Sequence, residues 1–202
     1  TCIAVGLQWD ISWHMTIGRD TFWTPAHMVI YLGGILGGLI SAILVFNMTF
    51  FDKNEGMNSG VKFWGFTGPM AAWVCIWGAV AMLTSAPFDD WWHNAYGLDV
   101  EIISPPHMVL AAGFIAIVFG AMLLTLVQQN RTNVSNLKLF SWLYTYTSGI
   151  LILLMVILTT EYSFTNKHHS LEFYKISAIV YPVVLVAISK SSKLKWPATI
   201  AA

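Results

Sequence analysis

Long runs without a charge, broken by short polar segments, dominate the pattern of this chain. The runs cover Thr21 to Phe51, Phe63 to Phe88, Ile102 to Asn130, Leu139 to Thr160 and, more briefly, Ile176 to Ser189. About 20 apolar residues cross a bilayer as a helix. Each run therefore predicts a span, and five helices are expected, beginning near His27, Lys62, His107, Lys138 and Leu171. The last run is short and contains Pro182, but lysines at its ends can snorkel to the interface and extend it. Ahead of the first span, Ile3 to Trp9 reads as the tail of a further apolar helix. Because the sequence starts at Thr1, without Met, a basic n-region or a cleavage site, a fragment or mature product is expected, its N-terminal part missing. The expected fold is all-α: a polytopic transmembrane helix bundle of about five full spans plus the end of a preceding helix, one membrane domain over residues 1–202.

Composition sharpens the class. Only 10% of the residues are charged and 56% are hydrophobic, whereas a soluble domain carries about 25% charged residues. The formal net charge is zero, which removes any global electrostatic case for nucleic acid. Cys2 and Cys75 stand far apart in apolar surroundings, neither a disulfide framework nor a Cys-based metal motif, and are expected to be small buried hydrophobes. Gly33, Gly34, Gly37 and Gly38 form overlapping small-xxx-small spacings in the first span, predicting close helix packing within the chain or with a partner.

Charge in the loops predicts orientation. Lys53, Lys62, Arg131, Lys138, Lys190, Lys193 and Lys195 fall on one side, and Arg19, Lys167 and Lys175 on the other. The positive-rich side is cytoplasmic, so the C-terminus is expected there and the loops at 10–27 and 89–107 on the opposite face.

Those two loops hold the candidate chemistry. The first reads Asp10, three residues, His14, twelve residues, His27; the second reads Asp89, three residues, His93, thirteen residues, His107. An acid and a His four apart share a helix face, and a His at the start of the next helix can fold back onto that face. Each loop thus offers one carboxylate and two imidazoles to a metal, with positions left open. Such donors suit copper, zinc, iron or nickel, and the lack of Cys argues against a closed structural zinc site. Ionisable clusters at a membrane are costly unless paired or functional. Arg19, Asp20, Asp90, Asp99 and Glu101 are candidates to orient the ligands from behind. Met15, Met28 and Met108 each follow a cluster His, but successive helical residues diverge by about 100°, so these methionines are expected to pack in the core. The tryptophans at 9, 13, 23, 91 and 92 suit an aromatic belt. A third loop with His168 and His169 lacks the acid-x3-His and Pro-His features, and reads as a degenerate echo or a solvated loop.

Asp10-x3-His14-x12-His27, with Arg19-Asp20-Thr21 and Thr24-Pro25-Ala26-His27 inside it, resembles the C subunit of the copper-containing membrane monooxygenases that oxidise methane, ammonia or short alkanes. The spacing of Asp89, His93 and His107 matches the family's second triplet, where the family has Asn at the place of Asp89. Arg19 stands one position later than in the family pattern. The resemblance covers about residues 9 to 110 and the helical layout. It implies an enzyme subunit with one or two copper ions held by Asp10, His14 and His27 and by Asp89, His93 and His107, zinc or iron being alternatives. It also implies A- and B-type partner subunits, commonly in a trimer of such units, set among lipid in a bacterial or archaeal inner membrane. No group is singled out as catalytic beyond the metal ligands. An alternative from another class is a non-catalytic membrane copper-binding or assembly protein with the same ligand loops, because ligands alone do not establish turnover. An ion conduit fits poorly, since mid-span positions lack carboxylates.

Overall fold

The computed structural model describes residues 1–17, 21–51, 60–97 and 104–202, with only the backbone of Tyr162. Arg19, Asp20, Asp99 and Glu101, and with them Lys53, lie outside the described residues. The protein is an all-α polytopic helix bundle. Its helices are α1 (Cys2–Thr16), α2 (Pro25–Phe50), α3 (Met70–Tyr96), α4 (Pro105–Arg131), α5 (Val134–Ile157), α6 (Leu171–Ser191) and α7 (Pro197–Ala201). Five are long and apolar enough to cross a membrane: α2, α3, α4, α5 with its continuation to Glu161, and α6. The fold class and the number of spans agree with the hydropathy pattern.

The second span departs from expectation at its start, which is Met70 rather than the neighbourhood of Lys62. Residues Val61–Phe63 (β1) and Phe66–Gly68 (β2) instead pair as an antiparallel hairpin. The cause is the Trp64-Gly65 turn, where both residues have positive φ, 48° and 84°. Such a pair is the tight-turn geometry whose twist matches two strands. Thr49 on α2 secures the hairpin, donating to the Thr67 carbonyl at 3.0 Å and accepting from its N–H at 2.9 Å. Pro69 then caps α3. At the other end α3 continues past Phe88 through both aspartates to Tyr96, carrying Pro87 inside it.

Two compact units divide the chain, Thr1–Ala121 and Met122–Ala202. The first is organised around the glycines of α2. A methyl group added at Gly33 would meet Ile3 of α1, at Gly34 Met82 of α3, at Gly37 Ile117 of α4, and at Gly38 Ala79 of α3. One helix thus touches three neighbours at close range because it lacks side chains there, and the predicted packing face is intramolecular. The α3–α4 contact is closer still, since a methyl at Gly78 would lie 2.6 Å from the Gly113 carbonyl oxygen. These pairings also fix direction. As Gly34 opposes Met82 and Gly38 opposes Ala79, α2 and α3 are antiparallel; Gly6 against Ile30 and Gly113 against Met82 make the α1–α2 and α3–α4 pairs antiparallel as well. The C-terminal ends of α1 and α3 and the N-terminal ends of α2 and α4 therefore gather at one end of this unit.

The second unit contains α5, a π-helical turn at Leu158–Ser163, α6 and α7. Gln129, 1% exposed, donates to the Ser191 carbonyl at 2.9 Å and accepts from Lys193 N–H at 3.1 Å, tying down the end of α6. Pro182 is accommodated within α6, whose most apolar window is only 6% buried. Cys75 is buried and Cys2 half-buried, and both are free thiols.

Candidate metal centre

The polar residues that begin α2 set the first triplet. Thr24 is its cap and Pro25 its first residue, the position at which a missing N–H costs nothing. Thr24 Oγ1 accepts from Thr21 N–H and donates to the Thr21 carbonyl, both at 2.8 Å. The same carbonyl accepts from His27 Nδ1 at 3.0 Å. A carbonyl can only accept, so Nδ1 carries the ring proton and Nε2 is left with its lone pair in the neutral ring. That nitrogen lies 3.1 Å from Asp10 Oδ1, and His14 Nε2, one turn along α1 from Asp10, is 3.9 Å from Asp10 Oδ2. The three predicted residues are brought together, one carboxylate oxygen toward each imidazole.

The second triplet repeats the plan. Gly97 ends α3 with φ of 89°, a backbone state that L side chains rarely adopt. Its carbonyl accepts from His93 Nδ1 at 3.3 Å, again leaving Nε2 for the site. His93 Nε2 is 3.4 Å from Asp89 Oδ2, and His107 Nε2, from the start of α4, is 3.6 Å from Asp89 Oδ1. Ser104 marks the start of α4 by accepting from His107 N–H at 3.5 Å.

Four buried polar side-chain atoms among the described residues lack a hydrogen bond, and three of them lie in these two loops: Asp10 Oδ1, Trp13 Nε1 and Asp89 Oδ1. The case of Asp10 is informative. Its Oδ1 is within hydrogen-bonding distance of His27 Nε2 yet accepts no hydrogen bond, so the ring and the carboxylate do not address each other along an N–H. A buried carboxylate oxygen left in that state is costly, and a cation shared with His27 Nε2, 3.1 Å away, is one arrangement that would satisfy it. Two ligand atoms each about 2.0–2.2 Å from one ion lie about 3–3.6 Å apart, which brackets the 3.1, 3.4 and 3.6 Å separations here. As they stand, no three His, Cys, Asp or Glu side chains among the described residues close around an ion. His14 is the most distant of the imidazoles from its carboxylate and, at 51% exposure, the most accessible. The donor sets fit a metal ion with open positions.

Other predicted residues fall elsewhere. Asp90 is exposed and meets Asn94 Nδ2 at 3.4 Å, one turn on along α3. Met15, Met28 and Met108 are not in the core as expected but 80%, 36% and 56% exposed. The angle that separates each from its neighbouring ligand His turns it outward rather than inward. In the second unit His168 Nε2 donates to the Thr160 carbonyl at 2.8 Å within the π-helical turn, and His169 Nδ1 meets Tyr174 Oη at 3.2 Å; each ring has a local partner. The orienting carbonyls of Thr21 and Gly97 were not among the predicted residues. Their signals were the Thr-x2-Thr-Pro cap and a Gly four residues after His93.

Fold and site together define an integral membrane helix bundle with two like Asp/His/His clusters at one end of its first unit. Comparison with family models, with curated proteins and with solved structures found no match.

Proposed function

We propose that this chain is a C-subunit-like component of a copper-dependent membrane monooxygenase. Copper would be held by Asp10, His14 and His27 and a second ion by Asp89, His93 and His107, for O2-dependent oxidation of methane, ammonia or a short alkane. The observation that carries the metal reading is the buried, unbonded Asp10 Oδ1 at 3.1 Å from a His27 nitrogen whose ring proton is committed to Thr21. The ligand spacings and the Thr-Pro-x-His entry to α2 support the choice of family. Copper, when bound, supplies the redox chemistry. The chain's own part is to hold and orient: Thr21 and Gly97 fix the tautomers of His27 and His93, and the two carboxylates neutralise cationic charge. Asp89 keeps the carboxylate geometry of Asp10, so the second triplet carries the same charge as the first. The reading places both clusters on the non-cytoplasmic face of a bacterial or archaeal inner membrane, the C-terminus on the cytoplasmic side, and A- and B-type subunits beside the chain.

Metal analysis of the complex purified from membranes, with His14→Ala and His93→Ala made separately, tests the reading. Each variant is expected to lose the copper of its own triplet; unchanged copper in both overturns it. Copurifying A- and B-type subunits with oxygen consumption on ammonia or short alkanes supports the enzyme. Copper uptake by a lone chain that consumes no oxygen supports a copper-binding or assembly protein.

A further inference from the structure

Both loops share a residue beyond the ligands. The sequences Asp10-x2-Trp13-His14 and Asp89-x2-Trp92-His93 place a tryptophan three residues after each acid, on the acid's side of the helix. Trp92 packs its ring against Trp91 and Tyr96. Trp13 differs, because its indole N–H is buried with no acceptor. An orphaned ring N–H is uncommon, since buried indoles generally find a partner. The same helix face also carries the unbonded Asp10 Oδ1. Donor and acceptor thus belong to residues three apart on one helix, and neither atom has a hydrogen bond. A bare cation accounts for the oxygen but not for the N–H, whose exposed end is itself positive. What satisfies both is a cation bearing a further ligand with a lone pair.

We infer that Trp13 is a positioning residue whose indole N–H holds an acceptor ligand, water, hydroxide or a small anion, on the ion bound by Asp10, His14 and His27. The inference rests on the metal reading of that triplet. Trp13 does not ligate the metal. It orients what occupies the open position, and so favours ligands with a lone pair directed at the ring over those without one.

Azide serves as the probe, titrated into copper-loaded complex and followed by its charge-transfer absorbance and the copper electron-spin spectrum. The His93→Ala background leaves the first triplet as the copper holder. Trp13→Phe is expected to retain copper while azide affinity falls about tenfold or more, the size of a hydrogen bond to a charged group. Equal copper and equal azide affinity with and without the indole overturn the role of Trp13 alone. Copper that survives His14→Ala in this background overturns the metal reading and the inference with it. Should Trp13→Phe fail to assemble, proton double-resonance spectroscopy of the azide-bound His93→Ala complex decides. An exchangeable proton coupled to azide and split by indole nitrogen-15 labelling supports the assignment, and its absence overturns it.

Discussion

At the scale of single residues, the Asp/His/His clusters are oriented by groups that lie outside them. Thr24 is 5% exposed and fixes the Thr21 carbonyl through two side-chain hydrogen bonds, and that carbonyl fixes His27. Thr24→Val keeps the volume and removes both bonds. It is expected to cost about 1–2 kcal/mol of stability and to lower metal affinity at the first triplet about 10-fold or more, the second triplet keeping its affinity. Chelator competition on wild type and variant checks the two sites separately. Gly97→Ala is the counterpart at the second site. An added methyl there meets nothing within 4 Å, so the cost is confined to the backbone at φ of 89°, about 1–3 kcal/mol. As the Gly97 carbonyl turns away from His93, affinity is expected to fall at the second triplet alone. Gly65→Ala provides the control: also open around the added methyl, with φ of 84° in the hairpin, it should destabilise comparably and leave both triplets intact. The clustering of Asp10 with His14 and of Asp89 with His93 was legible in the sequence because acid-x3-His is a helical register. Their orienting carbonyls were not, since a backbone group belongs to no residue type.

At the scale of elements, the Asp/His/His clusters and the glycine contacts are two ends of one construction. Asp89 and His93 ride on α3 and His107 on α4, so the second triplet is only as well formed as the α3–α4 contact beneath it. At Gly78 that contact is backbone against backbone. Gly78→Val would drive Cβ to 2.6 Å from the Gly113 oxygen, and neither partner can yield as a flexible side chain can. The helices must part, at a cost of about 1–3 kcal/mol or more, and copper at the second triplet should be weakened as a consequence of stability loss some distance away. Gly34→Ala meets only the Met82 thioether tip at 3.2 Å, which can rotate away, so it should be close to neutral. Thermal unfolding in detergent, followed alongside copper content, separates the two. The spans themselves were readable from apolar length, and the glycine stripe announced close packing. What the pattern hid was the hairpin at 61–68: Phe63, Trp64 and Phe66 look like the start of a span until two adjacent positive-φ residues turn the chain back. The outward-facing methionines were hidden for a related reason. In a membrane an apolar side chain gains nothing by choosing the core over lipid, so hydrophobicity does not report which way it points.

At the scale of the whole molecule, the number of crossings constrains where the chemistry lies. Between the loop that carries the first triplet and the tail after α6 lie five helices long and apolar enough to cross a membrane; five crossings, an odd number, are expected to leave the two ends on opposite faces of the bilayer. The lysines and arginines choose between the two ways of arranging this. Seven fall in the tail and the loops expected on its side and three in the loops expected on the side of the triplets, and basic residues resist export. On the orientation and the copper reading proposed above, ions are expected to reach the triplets from outside the cytoplasm, where no cytoplasmic thiol pool competes for copper. Single cysteines introduced as Trp23→Cys, 72% exposed beside the first triplet, and Trp196→Cys, 78% exposed in the tail, test it in a chain with Cys2 and Cys75 replaced by Ala. A membrane-impermeant maleimide added to intact cells is expected to label position 23 and to reach position 196 only after permeabilisation. Labelling of both positions in intact cells would contradict the odd number of crossings. The reverse order of labelling would keep the five spans but turn the protein over, leaving its copper to be loaded from the cytoplasm.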